Sequence, residues 1–321
     1  MKRTGIVLSC LFGVLCVINS LTMGCIMQVN AISGAVRSIY DISPVTVGVI
    51  VAVICYIALK SDSQRVGKIS EIAVPVASIL YIIISVLAIY VGKDKIFIAF
   101  ARIFSDAFDF ESIGGGILGF LGSRALRMGT MRGLISNEAG CGTAPTAHAS
   151  SSSKSPYRQG LLGIAEVFVD TILLCTLTAL VIIISGVTPS SIDPMRFCMS
   201  AFSSLLGGWA ESIIMLLVFI FAYATMICWA HYGREALRFF TEKLFAQKLF
   251  LYIFCALSLL GATFTPRLAW DLADLAVGLM TLINIGVLFM ARRKIAEETN
   301  IGIDKNSGVK EMFTKTPQKS P

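Results

Sequence analysis

Seven apolar runs, each long enough or nearly long enough to cross a bilayer, dominate this chain, and the one long segment among them that is not apolar constrains the fold most. That segment, Ser136-Asn137-Glu138-Ala139-Gly140-Cys141-Gly142-Thr143-Ala144-Pro145-Thr146-Ala147-His148-Ala149, is small, polar and rich in Gly. Gly140, Gly142 and Pro145 each weaken or interrupt a helical ladder, and Asn137 and Glu138 put an amide and a carboxylate where hydrocarbon is expected. Bare peptide groups in lipid are costly, so such a segment is tolerated at membrane depth only inside protein or along a wet cavity. The pattern predicts a helix broken near 132–149 and a binding site at the break.

Composition agrees with the runs. Of 321 residues, 55% are apolar and 15% charged, against roughly 25% charged in a soluble domain. An all-α polytopic membrane protein is expected, embedded in the lipid bilayer. The net charge of +7 does not point to nucleic acid, because the basic residues sit in short connections and form no aromatic-studded stripe. The nine Cys lie mostly inside apolar runs without paired metal-ligand spacing, and read as small buried hydrophobes. With only His148 and His231 present, a multi-histidine metal centre is excluded, and no resident metal or cofactor is expected.

In chain order, the first run covers about 5–27, and Gln28 and Asn30 mark its end. Met1-Lys2-Arg3 before it and Gly24-Cys25 near its end also suggest a lipoprotein signal. Thr22-Met23 and the length of the run speak against that, and a first spanning helix is the plainer reading. Further spans are predicted at about 45–59, 72–91 (with Pro75 in the first turn), 161–184, 213–230, 249–264 and 272–290. An amphiphilic stretch at 92–111 and Gly114-Gly115-Gly116 lead into the broken segment, and 150–153 reads as a solvated loop. A transmembrane domain at 1–294 and a flexible cytoplasmic tail at 295–321 follow. Eight crossings, the broken one included, put both termini on one side. Assigning that side to the cytoplasm places more Lys and Arg inside than outside, as the positive-inside rule requires of a multi-pass protein of the cell membrane. In that count Arg124, Arg127 and Arg132 fall outside, near the break.

The residues also carry a resemblance. Arg132-Gly133-Leu134-Ile135-Ser136-Asn137-Glu138-Ala139-Gly140-Cys141-Gly142-Thr143-Ala144-Pro145, then Gln159-Gly160, Val167-Phe168-Val169-Asp170-Thr171, Thr225-Met226-Ile227-Cys228-Trp229 and Tyr232-Gly233 together resemble the sodium:alanine (alanine or glycine:cation) symporter family. The similarity extends from about Ile6 to Lys294. The resemblance implies a leucine-transporter-like fold of two five-helix inverted repeats, each opening with a helix broken at mid-membrane. It also implies a secondary transporter that moves a small neutral amino acid with Na⁺ as the coupling ion, and not an enzyme.

Family members carry, ahead of the part that matches Gly5, another span, a first broken helix with a Gly-Asn-x-x-Gly element, and a span with Gly-Gly-Pro-Gly and Phe-Trp-Met-Trp signatures. None of these occurs in this sequence. The resemblance therefore matches the last three helices of the first repeat and all five of the second. It leaves a second reading, a truncated or split-gene membrane subunit that acts with a separate N-terminal fragment.

By the resemblance, Asn137, Gly140 and Gly142 offer a loosened backbone to the substrate, and Phe168 and Val169 shape a pocket for a small side chain. Thr225 and Trp229, four apart on one helix face, contribute a hydroxyl and a wall. Asp170, Thr171 and Thr225 are the expected ion-binding or coupling residues. The plainer readings are close helix packing for the glycines, a structural pairing for Asp170, and an interhelical hydrogen bond for Thr225. Helical spacing puts Phe168, Thr171, Cys175 and Thr178 on one face, with Glu166 and Asp170 roughly opposite. Gln28 and Asn30 resemble a family Gln-x-Asn element. A membrane enzyme using Cys141, His148 and Glu138 is the weakest alternative, since the histidine lies two helical turns from the cysteine.

Overall fold

Removing water from around an apolar chain leaves its peptide groups no partner but each other, so apolar runs of this length fold as helices. The computed structural model describes the backbone of residues 2–60, 63–108, 116–138, 140–149, 151, 153, 155–188 and 193–314, and most of their side chains. Among these residues there is no strand.

Helix α1 (Lys2–Leu21) passes through a π-helical turn (Thr22–Met27) directly into α2 (Gln28–Ile39). Then come α3 (Pro44–Lys60), α4 (Ser63–Val91) and α5 (Ile96–Phe108), the last lying in the stretch expected to be amphiphilic. The broken segment forms α6 (Gly116–Asn137) and α7 (Thr143–Ala149). Beyond it, α8 (Pro156–Val167) runs through a second π-helical turn (Phe168–Leu174) into α9 (Cys175–Ser185), followed by α10 (Pro194–Leu206), α11 (Trp209–Phe240), α12 (Leu244–Gly261) and α13 (Pro266–Thr314).

Among the described residues, six helical stretches are long and apolar enough to cross a membrane, and Pro44–Lys60 is a shorter apolar helix. The protein is an all-α polytopic membrane protein.

Local signals set the boundaries. Proline opens α8 and α10, and the side chains of Ser155 and Asp193 cap them by accepting from the amides of Arg158 and Met195. Gly186 at φ 70° and Gly207 at φ 92° end α9 and α10 in backbone conformations that a side chain resists.

Two series of helices, long, short and long, repeat along the chain. The first is Gly5–Ile39, Pro44–Lys60 and Ser63–Val91; the second is α11, α12 and α13. Like packs against like. Gly13 meets Phe240, Gly24 meets Trp229 and Gly233 meets Ser20, so α1 and the π turn after it run antiparallel to α11, with each glycine backbone against a side chain of the other. Gly48 meets Leu259 and Ala262, and Tyr56 stacks on Tyr252 at 6.4 Å, so α3 and α12 do the same. Antiparallel pairing of first with first and second with second is the relation that inverted repeats produce, in keeping with the expected leucine-transporter-like arrangement.

Several boundaries differ from the sequence reading. The first span does not end at Gln28 and Asn30. Gln28 donates to the Met23 carbonyl of the π turn, and Asn30 donates to the Gly261 and Phe264 carbonyls at the end of α12, so neither amide needs an aqueous interface. Pro75 lies inside α4 and not in its first turn, because the helix begins twelve residues earlier at Ser63. The last helix does not stop at Arg292-Arg293-Lys294; it continues to Thr314, into the segment expected to be a tail. Cys175 and Cys228 are exposed and not buried, while Cys16, Cys25, Cys55 and Cys141 are buried as expected; all nine are free thiols. Gly114 and Gly115 fall outside the described residues.

Candidate functional site

The helix breaks where its glycines are, over a narrower stretch than expected. Helix α6 ends at Asn137 and α7 starts at Thr143, and between them the described residues 138 and 140–142 leave helical geometry. Glu138 has φ 53° and Gly142 φ 84°, both left-handed. For Glu138 that conformation is strained, and local bonds hold it: its carboxylate Oε2 accepts from Thr143 Oγ1 at 3.1 Å and its carbonyl accepts from Cys141 Sγ at 3.0 Å. Gly142 has both a positive φ and crowding, since a Cβ there would press on Asn284 and Phe12.

Three polar contacts fasten the break to its neighbours. From α13, Asn284 Nδ2 donates to the freed carbonyl of Gly140 at 3.0 Å. Arg132, on the last turns of α6, makes a bidentate pair with Asp274 of α13 at 2.9 and 2.8 Å and stacks over the Trp270 ring at 3.8 Å. It is therefore not a loop charge of the kind the topology count assumed. On the other side, Ser136 Oγ reaches Asp170 Oδ2 at 3.0 Å, Thr171 Oγ1 at 3.2 Å and Cys175 Sγ at 3.5 Å. Three oxygens thus meet beside the carbonyl end of α6, where the helix dipole is negative. A hard cation or an ammonium group suits that place.

The π turn explains why these three residues converge. An α-helical register sets Asp170 opposite Thr171 and Cys175, but i→i+5 bonding over Phe168–Leu174 widens the turn and brings all three to one serine. Thr178 leaves that face and instead bonds Tyr81 at 2.5 Å. Phe168 and Val169 are exposed on the same turn, while Asn137, half buried, keeps its amide without a partner among the described residues.

Trp229 is 1% exposed, packed with Ile135 and Cys141 of the broken segment and edge-on to Tyr232 at 5.7 Å. Thr225 donates to the Phe221 carbonyl of its own helix at 2.8 Å, and no bond joins it to Asp170 or Thr171.

Sequence reasoning missed Ser136 as the partner of Asp170 and Thr171, and Asp274 and Asn284 as tethers; His148, weighed there only as an enzyme base, lies on α7 with Gln159 at 2.7 Å and Glu166 at 3.5 Å. His148 and Cys141 therefore have different partners, and the nucleophile–base arrangement of an enzyme is not assembled.

Antiparallel spans beside an interrupted helix, with polar groups gathered at the interruption, define a polytopic membrane protein of broken-helix type. The chain belongs to the sodium:alanine symporter family, whose sequence model matches residues 2–313. It is 31% identical over 280 residues to the sodium/alanine symporter AgcS of Methanococcus maripaludis, covering 86% of this chain and 60% of that protein. To the amino-acid carrier protein AlsT of Bacillus subtilis it is 30% identical over 262 residues, covering 82% of this chain and 55% of that protein. To the probable sodium/glutamine symporter GlnT of the same organism it is 30% identical over 273 residues, covering 84% and 56%. The chain thus matches little more than half the length of these relatives. The family is one of transporters and not of enzymes.

Proposed function

We propose that this chain forms the scaffold and one broken helix of a sodium-coupled symporter for a small neutral amino acid, alanine or glycine, in the cell membrane with both termini cytoplasmic. The observation that carries the reading is the meeting of Ser136, Asp170 and Thr171 at the carbonyl end of α6, directly beside the break. In this reading those oxygens take Na⁺. The Asn137 amide and the backbone around Gly140 and Gly142 face the zwitterion, Phe168 and Val169 limit side-chain size, and Trp229 backs the wall. Thr225 serves the substrate through its free lone pairs. Na⁺ and amino acid each stabilise the same closed arrangement of the break, so each raises the affinity of the other.

The test is uptake of labelled alanine and glycine into proteoliposomes under an inward Na⁺ gradient. Little sodium-dependent uptake is expected of this chain alone and clear uptake once it is joined to the N-terminal spans of its relatives; in the joined protein Asp170→Asn should lower apparent sodium affinity about tenfold, the worth of one charge-assisted contact. Uptake or binding that ignores sodium would refute the reading.

A further inference from the structure

Away from the break, a second cluster of polar groups lies outside the proposed site. The turn from α11 to α12 carries Arg234, Arg238, Glu242, Leu244 and Gln247 around a cavity of about 360 Å³. Gln247 is 8% exposed, and neither Nε2 nor Oε1 has a hydrogen-bond partner; the buried Nε of Arg234 has none either. An amide buried with both ends unsatisfied is costly to keep, which points to a ligand. Arg238 is held by Glu235, whereas Arg234 makes no ion pair among the described residues. Helix α12 begins here, and Lys243 at its N-cap supplies no side-chain acceptor, so the first-turn amides add a positive dipole end.

The surroundings identify the kind of ligand. Phe239, Phe240, Leu244 and Phe245 are exposed beside the cavity, at the meeting ends of two helices apolar enough to cross a membrane. The cavity therefore lies where acyl chains give way to headgroups. Glu242 on its lining disfavours a doubly charged anion and accepts from a hydroxyl.

We propose that this cavity seats the phosphodiester headgroup of an anionic phospholipid bearing hydroxyls, as in phosphatidylglycerol. Arg234, the Gln247 amide and the start of α12 receive the phosphate, while headgroup hydroxyls donate to Gln247 Oε1 and Glu242.

Native mass spectrometry of the full chain in detergent tests this, with equal additions of phosphatidylglycerol, phosphatidylcholine or inorganic phosphate. Phosphatidylglycerol should be retained about five- to tenfold over phosphatidylcholine and should resist inorganic phosphate. Arg234→Gln should bring it down to the phosphatidylcholine level. Gln247→Leu removes the unpartnered amide, so it should melt higher without lipid yet retain less phosphatidylglycerol, which separates lost binding from misfolding. Equal retention of the two lipids, or unchanged retention in both variants, overturns the site. Displacement of the lipid by inorganic phosphate overturns the lipid assignment in favour of a free anion.

Discussion

The antiparallel pairing of α1–α2 with α11 and the setting of the broken helix solve the same problem by opposite means. In the first, glycines at 13, 24 and 233 let one backbone lie against aromatic or small side chains of the other, and the joint is mostly apolar, with Ser20 against Gly233 among its few polar groups. In the second, a handful of polar side chains on α13 and the π turn hold a segment that lacks its own hydrogen-bond ladder. Close packing over many atoms has one good arrangement and resists change. A few directed bonds can be exchanged for bonds to an ion or solute, so the break is the part suited to move.

The largest effect that would break this contrast is at the tight joint. Gly24→Val forces a side chain into Trp229 and should cost about 3 kcal/mol, seen as lost monodisperse protein and a lower melting temperature. Gly278→Val, with no atom near its added Cβ, should be neutral. Equal tolerance at both sites would remove the distinction between the two regions.

Next comes Asp274→Asn, which leaves Arg132 without its carboxylate. Because the Arg132 side chain is 35% exposed, the expected loss is about 2 kcal/mol, below that for a fully buried pair. A double-mutant cycle with Arg132→Gln should show coupling of about 1 kcal/mol or more, and zero coupling would detach the pair from the break.

Asn284→Leu, which frees the Gly140 carbonyl, should cost about 1 kcal/mol. Its sharper readout is hydrogen exchange, which should speed up around 138–142 while α1 and α11 stay protected. The smallest effect belongs to Thr225→Val. Its hydroxyl donates within its own helix, so stability should change by less than about 0.5 kcal/mol. A fall in alanine affinity would then report direct contact with the solute, and unchanged kinetics would remove Thr225 from the site.

The apolar runs and the Gly-rich gap between them were legible in the sequence, because both are local patterns. The ends of the spans were not. Gln28 and Asn30 read as an interface only because the carbonyls that satisfy them belong to a π turn and to the end of α12. The fastenings of the break were hidden for the same reason: Arg132 and Asp274 lie 142 residues apart, Asn284 and Gly140 lie 144 apart, and nothing local announces either pair. The gathering of Asp170 and Thr171 at Ser136 needed a register that α-helical spacing does not supply.

The final helix has one more consequence. Its 49 residues reach about 74 Å, well over twice a hydrocarbon core of roughly 30 Å. Toward its far end, Gly302 lies so close to Tyr157 that no side chain fits between them. Tyr157 stands on α8, beyond the interruption, so a tilt of that arm would be carried to the far end of the last helix. Spin labels near this clasp would turn the tilt into a distance read without disturbing the interior.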